Sequence, residues 1–471
     1  MNEWLPRLEG RAGPRYRAIA DALQQDITDG SLPSGARLPT HRDLAWRLGV
    51  TVGTVTRAYV EAERRGLISG EVGRGTYVRP LTPDYPERLK PDERAHIPLP
   101  GRNEVEFIDL AGNAPPPAPL AAEIGRAFAS VAEDPQFPEY LRYRPSQGLM
   151  QHREAGAQWL AAFGHEVRPN QVLPTHGAQH AMLIAAAAVL RAGDVLLTES
   201  LTIFGVKSVA RVLGLRLHGV ELDEQGLVPA ALDAAIRATG AKALYCIPTL
   251  QNPTNSVMPA ARRQEIAALC KRHGTVIIED DIYNFLLDQP EPPLSSYLPE
   301  QSLYITNLSK SVAPALRVGY LAGPQALIDS ALIAMRASSV MACPLTQETA
   351  TRLIRNGVAR RNAELVREEA KQRQAIARKL LGHYEMTRQP NAFHIWMTLP
   401  EPWRREAFAQ EALRRNLGVA AADVFATGRQ SVPHAVRVSL AAPRTRAELE
   451  HGLGIIADIL SAEGAANFPV I

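Results

Sequence analysis

The sequence has few of the residues that mark secreted or metal-binding proteins. Its 471 residues include only three cysteines, Cys246, Cys270 and Cys343, which lie far apart and show no Cys-x-x-Cys spacing. This scarcity argues against both a disulfide framework and a zinc site, and it predicts a reducing, cytoplasmic compartment. The histidines are not at ligand spacing either, so we predict no metal ion.

Long apolar runs are also missing. The N-terminus, Met1 to Arg11, lacks the apolar region of a signal peptide. The longest apolar run, Ala181 to Leu190, is well short of the roughly 20 residues that span a bilayer. We therefore expect no membrane partner.

Lysine is absent from residues 1–80, although this stretch holds 12 arginines and 9 acidic residues and so has a net charge of +3. The rest of the chain balances 40 basic against 40 acidic side chains. All of the net positive charge therefore lies near the N-terminus, which predicts a basic module on a neutral body. The length of the chain and its 46% apolar residues predict two or three domains with sizeable cores.

Helical patterns occupy the basic module. Residues 14–29 carry the apolar stripe of an amphipathic helix, and a second helix begins at Thr40. Gly49 then makes a turn, and Thr51 can cap a third helix. Residues 67–78 contain three glycines and predict a hairpin. A helix, a glycine turn and a helix at this spacing predict a helix-turn-helix, whose second helix enters the major groove of DNA.

Residues 15–78 resemble the GntR-type winged-helix domain, because residues 38–42 and 73–78 match its boundary motifs. The family usually has an arginine soon after the turn, where this chain has Val52 and Gly53. The alternative is a helix-turn-helix that serves only for packing. The resemblance implies DNA contacts from Arg42, Thr51, Thr54, Arg57 and, at the hairpin tip, Arg74.

The next stretch, residues 79–107, is rich in proline and charge and has no periodic apolar face. It predicts a linker that could reach about 90 Å in polyproline geometry. We assign residues 1–79 to the winged helix, 80–107 to the linker and 108–471 to a second domain. That domain would have a large lobe at about 150–335 and a small lobe at about 336–471 plus the N-terminal segment.

Helical stretches alternate with short apolar runs after residue 120, which predicts βαβ units and a mainly parallel sheet. Polar residues follow several of these runs. Asn252 comes after the run 243–247, and Asp280 ends the run that begins at Val276. Ligands of parallel α/β sheets gather at such strand ends.

Lys310 follows the apolar run 303–306 and precedes the run 318–322, so we expect it in a loop between packed strands. An ammonium against apolar walls loses hydration, and the resulting neutral amine can attack a carbonyl and form a Schiff base. Arg317 is near enough in sequence to bind a phosphate with its fork of donors. A solvated surface lysine is the alternative.

A strand, an Asn-Pro loop, a strand with Asp-x-x-Tyr, a strand, Ser-Lys and Arg, in this order, resemble the fold-type-I pyridoxal phosphate enzymes, the aspartate aminotransferase family. The likeness covers about three-quarters of the chain. It implies a pyridoxal 5'-phosphate cofactor that is covalently bound by Lys310. It also implies that Asp280 pairs with the pyridine nitrogen and that Asn252 and Tyr283 bind the ring hydroxyl.

A glycine turn at residues 175–179 precedes an alanine-rich helix, and free amides and the helix dipole at such a helix start favour a phosphate. By the family likeness the phosphate is bound by Gly177, Ala178, Gln179, Ser309 and Arg317.

Further residues take their roles from the same likeness. Tyr143 would reach the phosphate of the partner subunit, which implies a dimer. Ile203 would cover the pyridine ring, with Phe204 as the alternative. Arg437 would clamp the carboxylate of an amino acid. Asn255 stands where a glycine is common, which is tolerable in the left-handed region.

A winged helix ahead of an aminotransferase-like body resembles the MocR/GabR family of bacterial transcription regulators. The resemblance implies a head-to-tail, domain-swapped homodimer that binds promoter DNA and senses an amino compound by external aldimine formation at Lys310. The alternative is a genuine aminotransferase that carries a DNA-binding module. The sequence leaves the effector, the operator and the direction of regulation open.

Overall fold

The computed structural model describes residues 4–6, 8, 14–29, 31–33, 35–64, 67–71, 75–78, 107–387, 389–428 and 432–461. The chain divides into two compact units, Met1–Arg88 and Leu89–Ile471. The predicted linker lies outside the described residues except for Phe107, and so does Arg74. Within these ranges, no helix combines the length and the apolar character needed to cross a bilayer.

The first unit is a winged helix. Thr40 caps the second helix by accepting a hydrogen bond from Asp43 N (3.2 Å), and Gly49 ends it in the left-handed region at φ +62°. The helices enclose a core that includes Leu23, Leu44 and Val55. The elements are α1 (Arg15–Thr28), α2 (His41–Leu48), α3 (Val52–Arg64), β1 (Ile68–Glu71) and β2 (Gly75–Val78), with β1 and β2 antiparallel.

The second unit alternates helices with strands. Its elements are β3 (Ile108–Asp109), α4 (Ala121–Ala132), α5 (Phe137–Tyr140), α6 (Met150–Ala161), β4 (Val172–Thr175), α7 (Ala178–Val189), β5 (Val195–Glu199), α8 (Phe204–Leu213), β6 (Arg216–Val220), β7 (Leu222–Asp223), β8 (Gly226–Leu227), α9 (Pro229–Thr239), β9 (Ala243–Cys246), α10 (Ala260–His273), β10 (Val276–Asp280), β11 (Ser302–Asn307), β12 (Gly319–Ala322), α11 (Gln325–Ser338), α12 (Pro344–Arg355), α13 (Val358–Leu381), β13 (His394–Thr398), α14 (Arg405–Arg414), β14 (Leu417–Gly418), β15 (Ala420–Ala421), β16 (Ala435–Ser439) and α15 (Arg446–Ser461).

The large sheet of this unit has the strand order β4-β12-β11-β10-β9-β5-β6 in the described chain. Only β12 runs against its neighbours, and the other pairings are parallel. Along β10, Ile277 and Ile278 are buried in two different core clusters, one with α9 and α10 and one with α7 and α11. Helices therefore cover both faces, which explains the continuous apolar runs of the strands.

A smaller sheet, β13-β16-β15, lies toward the C-terminus and packs with α13, α14 and α15. The N-terminal segment joins this region, because β3 pairs with β14 through Ile108 and Leu417. The predicted fold class is confirmed: an N-terminal winged helix and an α/β body with the fold-type-I aminotransferase architecture. Helix α7 begins two residues earlier than predicted, because Gly177 and not His180 marks its start.

Candidate functional site

Asp280 lies at the carboxyl end of β10 and is fully buried. Its Oδ2 accepts a hydrogen bond from Tyr245 Oη at 2.7 Å, and its Oδ1 has no hydrogen-bond partner among the described residues. Burial raises the pKa of Asp280 to about 6, although the Tyr245 hydrogen bond and nearby Lys310 act in the opposite direction. The Oδ1 atom can therefore accept a hydrogen bond from a cationic donor.

Lys310 follows β11 and is partly buried, and its Nζ donates a hydrogen bond to Asn113 O. Burial and, to a smaller extent, the cation of Arg437 lower the pKa of Lys310 to about 8, while the carboxylate of Asp280 acts in the opposite direction. Lys310 and Asp280 thus lie close enough to influence each other, as the sequence predicts. A lysine of this pKa holds a sizeable neutral fraction near neutral pH, which a nucleophile requires.

Asn252 and Tyr283 meet beside this lysine. Tyr283 Oη accepts a hydrogen bond from Asn113 Nδ2 (2.8 Å) and is also hydrogen-bonded to the side chain of Asn252. Asn252 Oδ1 in turn accepts a hydrogen bond from Arg437 Nη1 at 2.8 Å. The two residues that the sequence assigns to the ring hydroxyl therefore share one polar network with the arginine assigned to the effector.

Arg437 lies on β16 and is buried. Its Nη2 donates to Ala111 O, its guanidinium lies 4.8 Å from the ring centre of Phe425, and its Nε is buried without a partner among the described residues. Burial lowers the pKa of Arg437 to about 10, so the side chain remains a cation at neutral pH. A desolvated cation with an unused donor is suited to a carboxylate.

Gly177 and Arg317 come together although they are distant in sequence, because Thr175 at the end of β4 pairs with Gly319 at the start of β12. Gly177 caps α7 at φ +78°, and a Cβ there would lie 3.0 Å from Arg317 Nη2. Arg317 is itself left-handed at φ +50°, and its Nη2 donates to His176 O at 3.3 Å. The guanidinium therefore lies beside the free amides at the start of α7.

Ser309 and Gln179 belong to the same predicted cradle. The Ser309 hydroxyl is buried and has no hydrogen-bond partner in the described part of the chain, whereas its amide donates to Asn307 Oδ1 at 2.9 Å. Gln179 is exposed, and its Nε2 donates to Gly205 O at 3.1 Å. Ala178 is the first residue of α7, where backbone N–H groups have no partner within the helix.

Two predicted residues lie apart from this network. Tyr143 is 84% exposed and has no described contact with the cluster, so its assignment to a partner subunit stays a prediction. Ile203 precedes α8, is half-buried and packs against the core cluster that includes Ala178, whereas Phe204 is exposed. Which of the two covers a pyridine ring also stays a prediction.

Three residues of the site were missed from the sequence: Asn113, Tyr245 and His394. The His394 ring is buried, with Nε2 3.1 Å from Pro253 O and Nδ1 3.4 Å from Asn113 Nδ2, which fits a neutral ring protonated at Nε2. Burial holds the pKa of His394 well below its ordinary value. Tyr245 could have been found, because it lies on the strand next to Asp280. Asn113 lies in a segment without periodicity, and no local signal marked it.

The residues present fit pyridoxal 5'-phosphate. A buried hydroxyl without a partner at Ser309 and the open amides beside Gly177 suit phosphate oxygens. The free Oδ1 of Asp280 suits a protonated ring nitrogen, and the amine of Lys310 suits an aldehyde. Among the described residues, no group of three or more His, Cys, Asp or Glu side chains is arranged to hold a metal ion.

The winged helix presents a second set of predicted residues. Arg42 on α2 and Arg57 on α3 are exposed. Thr51 is exposed and caps α3, and its hydroxyl lies 2.9 Å from that of the half-buried Thr54. Arg74, the fifth predicted DNA contact, lies outside the described residues.

Comparisons with known proteins identify both units. Residues 106–456 match the family "Aminotransferase class I and II", and residues 15–78 match "Bacterial regulatory proteins, gntR family". The chain is 29% identical to the HTH-type transcriptional regulator YdeF of Bacillus subtilis, over 97% of this chain and 96% of YdeF. It is 28% identical to the pyridoxine biosynthesis regulator PdxR of Corynebacterium glutamicum, over 77% of this chain and 78% of PdxR.

Solved aminotransferases share the fold of the second unit. The α-aminoadipate aminotransferase LysN of Thermus thermophilus, in complex with N-(5'-phosphopyridoxyl)-L-leucine, superposes with a TM-score of 0.69 at 24% identity, over 75% of this chain and 92% of LysN. The cofactor of such a domain is pyridoxal 5'-phosphate. The chain belongs to the class I and II aminotransferase family and, with its GntR-type domain in front, to the MocR/GabR group of transcriptional regulators.

Proposed function

We propose that this regulator senses an amino compound at Lys310 and converts its binding into a change of affinity for promoter DNA. One observation carries the proposal: Lys310 and Arg437, the groups assigned to the amine and the carboxylate of an effector, each bind a backbone carbonyl of the same short segment. Lys310 Nζ donates to Asn113 O, and Arg437 Nη2 donates to Ala111 O. An effector carboxylate would compete with Ala111 O for Arg437, and Lys310 can hold Asn113 O only while its amine is free.

Different residues would bind different parts of the cofactor ring. Asp280 would pair with the ring nitrogen, and Tyr245 orients that carboxylate from 2.7 Å. Asn252 and Tyr283 would bind the ring hydroxyl, while Ile203 would cover one face of the ring. The cofactor would supply an aldehyde able to bond an amine, and the buried amine of Lys310 is the group on this chain that would hold it.

The phosphate would be held by Gly177, Ala178, Gln179, Ser309 and Arg317 and by Tyr143 of the partner subunit in a head-to-tail homodimer. The buried Ser309 hydroxyl and the guanidinium of Arg317 beside the start of α7 support this assignment. Hydrogen bonds to a charged acceptor contribute about 1.5–3 kcal/mol each, so a cradle of this size would hold the cofactor firmly.

Effector binding would act on the segment at residues 111–113. A carboxylate that engages Arg437 would remove the donor that now holds Ala111 O, whereas an effector amine that takes the place of Lys310 on the cofactor would free Lys310 to donate to Asn113 O. In the sequence, that segment follows β3, which comes after the predicted linker at residues 80–107. Couplings between sites typically amount to about 1–3 kcal/mol, which is a five- to 150-fold change in operator affinity.

The DNA-binding role is supported by the winged helix itself. Its exposed arginines, Arg42 and Arg57, suit phosphate contacts, and Thr51 and Thr54 lie at the start of the helix that enters the major groove. Arg74 would contact the minor groove or a phosphate. The match of residues 15–78 to the GntR family supports the same role.

The test uses the full chain loaded with pyridoxal 5'-phosphate and a panel of amino compounds: γ-aminobutyrate, taurine, diamino acids and pyridoxine vitamers. Absorbance records the state of the cofactor, and anisotropy of a labelled promoter fragment records DNA binding. One compound should give a stable spectral shift and a matching change in DNA affinity. Rapid formation of pyridoxamine 5'-phosphate, with turnover on addition of a keto acid and no effect on DNA binding, would instead indicate an aminotransferase.

A further inference from the structure

The start of α3, the helix that we expect to enter the major groove, has an unusual composition. Residues 49–56, Gly-Val-Thr-Val-Gly-Thr-Val-Thr, contain only glycine, valine and threonine. They cover the turn after α2 and the first part of α3. No side chain in this stretch can make the two-pronged contacts with which arginine or lysine reads guanine and asparagine or glutamine reads adenine.

The threonine hydroxyls of this stretch are engaged within the protein. Thr51 and Thr54 lie with their hydroxyls 2.9 Å apart, and Thr51 Oγ1 also accepts a hydrogen bond from Thr54 N at 3.2 Å. Thr56 Oγ1 donates to Val52 O at 3.0 Å and lies 3.2 Å from His41 Nδ1. The threonine hydroxyls therefore use part of their hydrogen-bonding capacity at the helix start, and none of them makes a two-pronged contact with a base.

The exposed apolar side chain at this helix start is Val52. It is the first residue of α3, and its side chain is 44% exposed. Next to it, a Cβ added at Gly53 would meet only Thr51 Oγ1, at 3.9 Å, so a groove floor can approach the backbone closely. The residue that begins the recognition helix is thus an exposed branched hydrocarbon on a helix start with no bulk beside it.

We propose that Val52 reads A·T base pairs through the 5-methyl group of thymine. The first residues of a recognition helix contact base edges, and the thymine methyl is the apolar group that the major groove displays. Arg42 and Arg57 are exposed on the two helices and would fix the register through phosphates. This inference rests on the proposed DNA binding and adds which base the helix start recognises.

The experiment removes only the methyl group. The full chain, loaded with pyridoxal 5'-phosphate, first selects a duplex from a pool of randomised 30-bp DNA. Deoxyuridine then replaces each thymidine of the selected duplex in turn, and anisotropy at fixed salt gives the dissociation constant. At one position in each half-site, loss of the methyl should weaken binding about fourfold, the factor expected for one buried methyl group.

Val52→Ala completes a double-mutant cycle. This variant loses the contact in both half-sites, so it should bind the thymine duplex about 9- to 16-fold more weakly than the wild type, and it should no longer distinguish thymine from uracil at the sensitive position. An effect of uracil on DNA shape would act on both proteins alike, so the cycle separates shape from contact. Val60→Ala is the matched control, because Val60 is 60% exposed but lies two turns further along α3.

The outcomes are distinct. Equal affinity of the wild-type chain for thymine and uracil at every position would overturn the reading of thymine by Val52 and leave DNA binding intact. A uracil effect that persists unchanged in Val52→Ala would overturn it as well. Failure to select any duplex would instead overturn the proposed DNA binding itself.

Discussion

The candidate cofactor site and the start of α3 differ in composition and in exposure to solvent. The cofactor site gathers Lys310, Asp280 and Arg437 away from water, and burial moves the pKa of all three groups toward the neutral form. The helix start at residues 49–56 carries no charge at all and is largely open to solvent. Covalent chemistry needs groups of altered reactivity, whereas reading a base edge needs a shape that displaces water.

The difference also separates what each region tolerates. A buried charge without its partner is costly, by several kcal/mol, so the cofactor site should respond strongly to single substitutions. Exposed groups interact through a solvent that screens them, so the winged helix should respond in small steps. The following predictions test this contrast, beginning with the largest effect.

Lys310→Ala should abolish the visible absorbance of bound cofactor and the response to effectors, because no other amine takes its place beside Asp280. DNA binding in the absence of effector should persist. Absorbance spectra of the purified variant with added pyridoxal 5'-phosphate check this. Lys207→Ala is the control, since burial also lowers the pKa of Lys207 to about 8 but its Nζ donates to Val424 O. A protein that keeps its colour without Lys310 would refute the site.

Asp280→Asn should weaken the binding of pyridoxal 5'-phosphate about 100-fold, corresponding to about 3 kcal/mol for a buried ion pair that loses one partner. Cofactor titration followed by absorbance measures the loss. Asp281→Asn is the matched control: its carboxylate is equally buried but accepts hydrogen bonds from Tyr304 and Asn284. An equal loss of affinity in both variants would contradict the assigned role of Asp280.

The rate of cofactor capture should rise with pH and level off above about 8, because burial lowers the pKa of Lys310 to that value and only the neutral amine reacts. Below the plateau the rate should change about tenfold per pH unit, as the neutral fraction does. Stopped-flow absorbance between pH 6.5 and 10 records the profile. A rate that still climbs tenfold per unit at pH 10 would indicate a solvated lysine.

Tyr245→Phe should weaken cofactor binding by about 1–2 kcal/mol, or roughly tenfold, because Asp280 Oδ2 loses a hydrogen bond. The same loss raises the pKa of Asp280 above about 6, so the variant should release its cofactor at a higher pH than the wild type when the solution is acidified. Acid titrations followed by absorbance compare the two. Identical titration curves would remove Tyr245 from the site.

Arg57→Ala should have the smallest effect, a loss of a few-fold in DNA affinity and a decrease of about 1.8 in the magnitude of the slope of log affinity against log salt, about 0.9 for each subunit of the homodimer. Anisotropy over a salt series gives the slope. Arg126→Ala, an exposed arginine on α4, is the control and should leave the slope unchanged. A change of base preference in Arg57→Ala would mean that this arginine reads sequence and not phosphate.

Patterns that depend on neighbouring residues were readable from the sequence. The helix starts at Thr40 and Thr51, the strand that ends at Asp280 and the lysine loop after β11 all follow from local chemistry. Asp280 and the lysine loop meet at one edge of the sheet because β10 and β11 are parallel neighbours. Such patterns predict a helix-turn-helix and a mainly parallel α/β sheet, whereas the fold-type-I architecture was predicted from the resemblance to the aspartate aminotransferase family.

Contacts that depend on folding over long distances were not readable. Nothing near Asn113 indicates that its carbonyl would bind Lys310, 197 residues away. The engagement of Arg437 by Ala111 O likewise requires the β3–β14 pairing, which joins residues more than 300 positions apart. Family likeness supplied a role for Arg437, but only the structure reveals that the same segment binds both side chains.

Strand β12, which runs antiparallel to both of its neighbours in the large sheet, brings together residues that are far apart in the sequence. In the part of the chain that the structure describes, β4 is an edge strand that pairs with β12 alone, and 141 positions separate His176 from its hydrogen-bond donor Arg317. The phosphate cradle is therefore absent until β12 has inserted between β4 and β11, a slow kind of closure for a chain. In a refolding experiment, we therefore expect cofactor colour to appear only once the sheet is complete, after hydrophobic collapse.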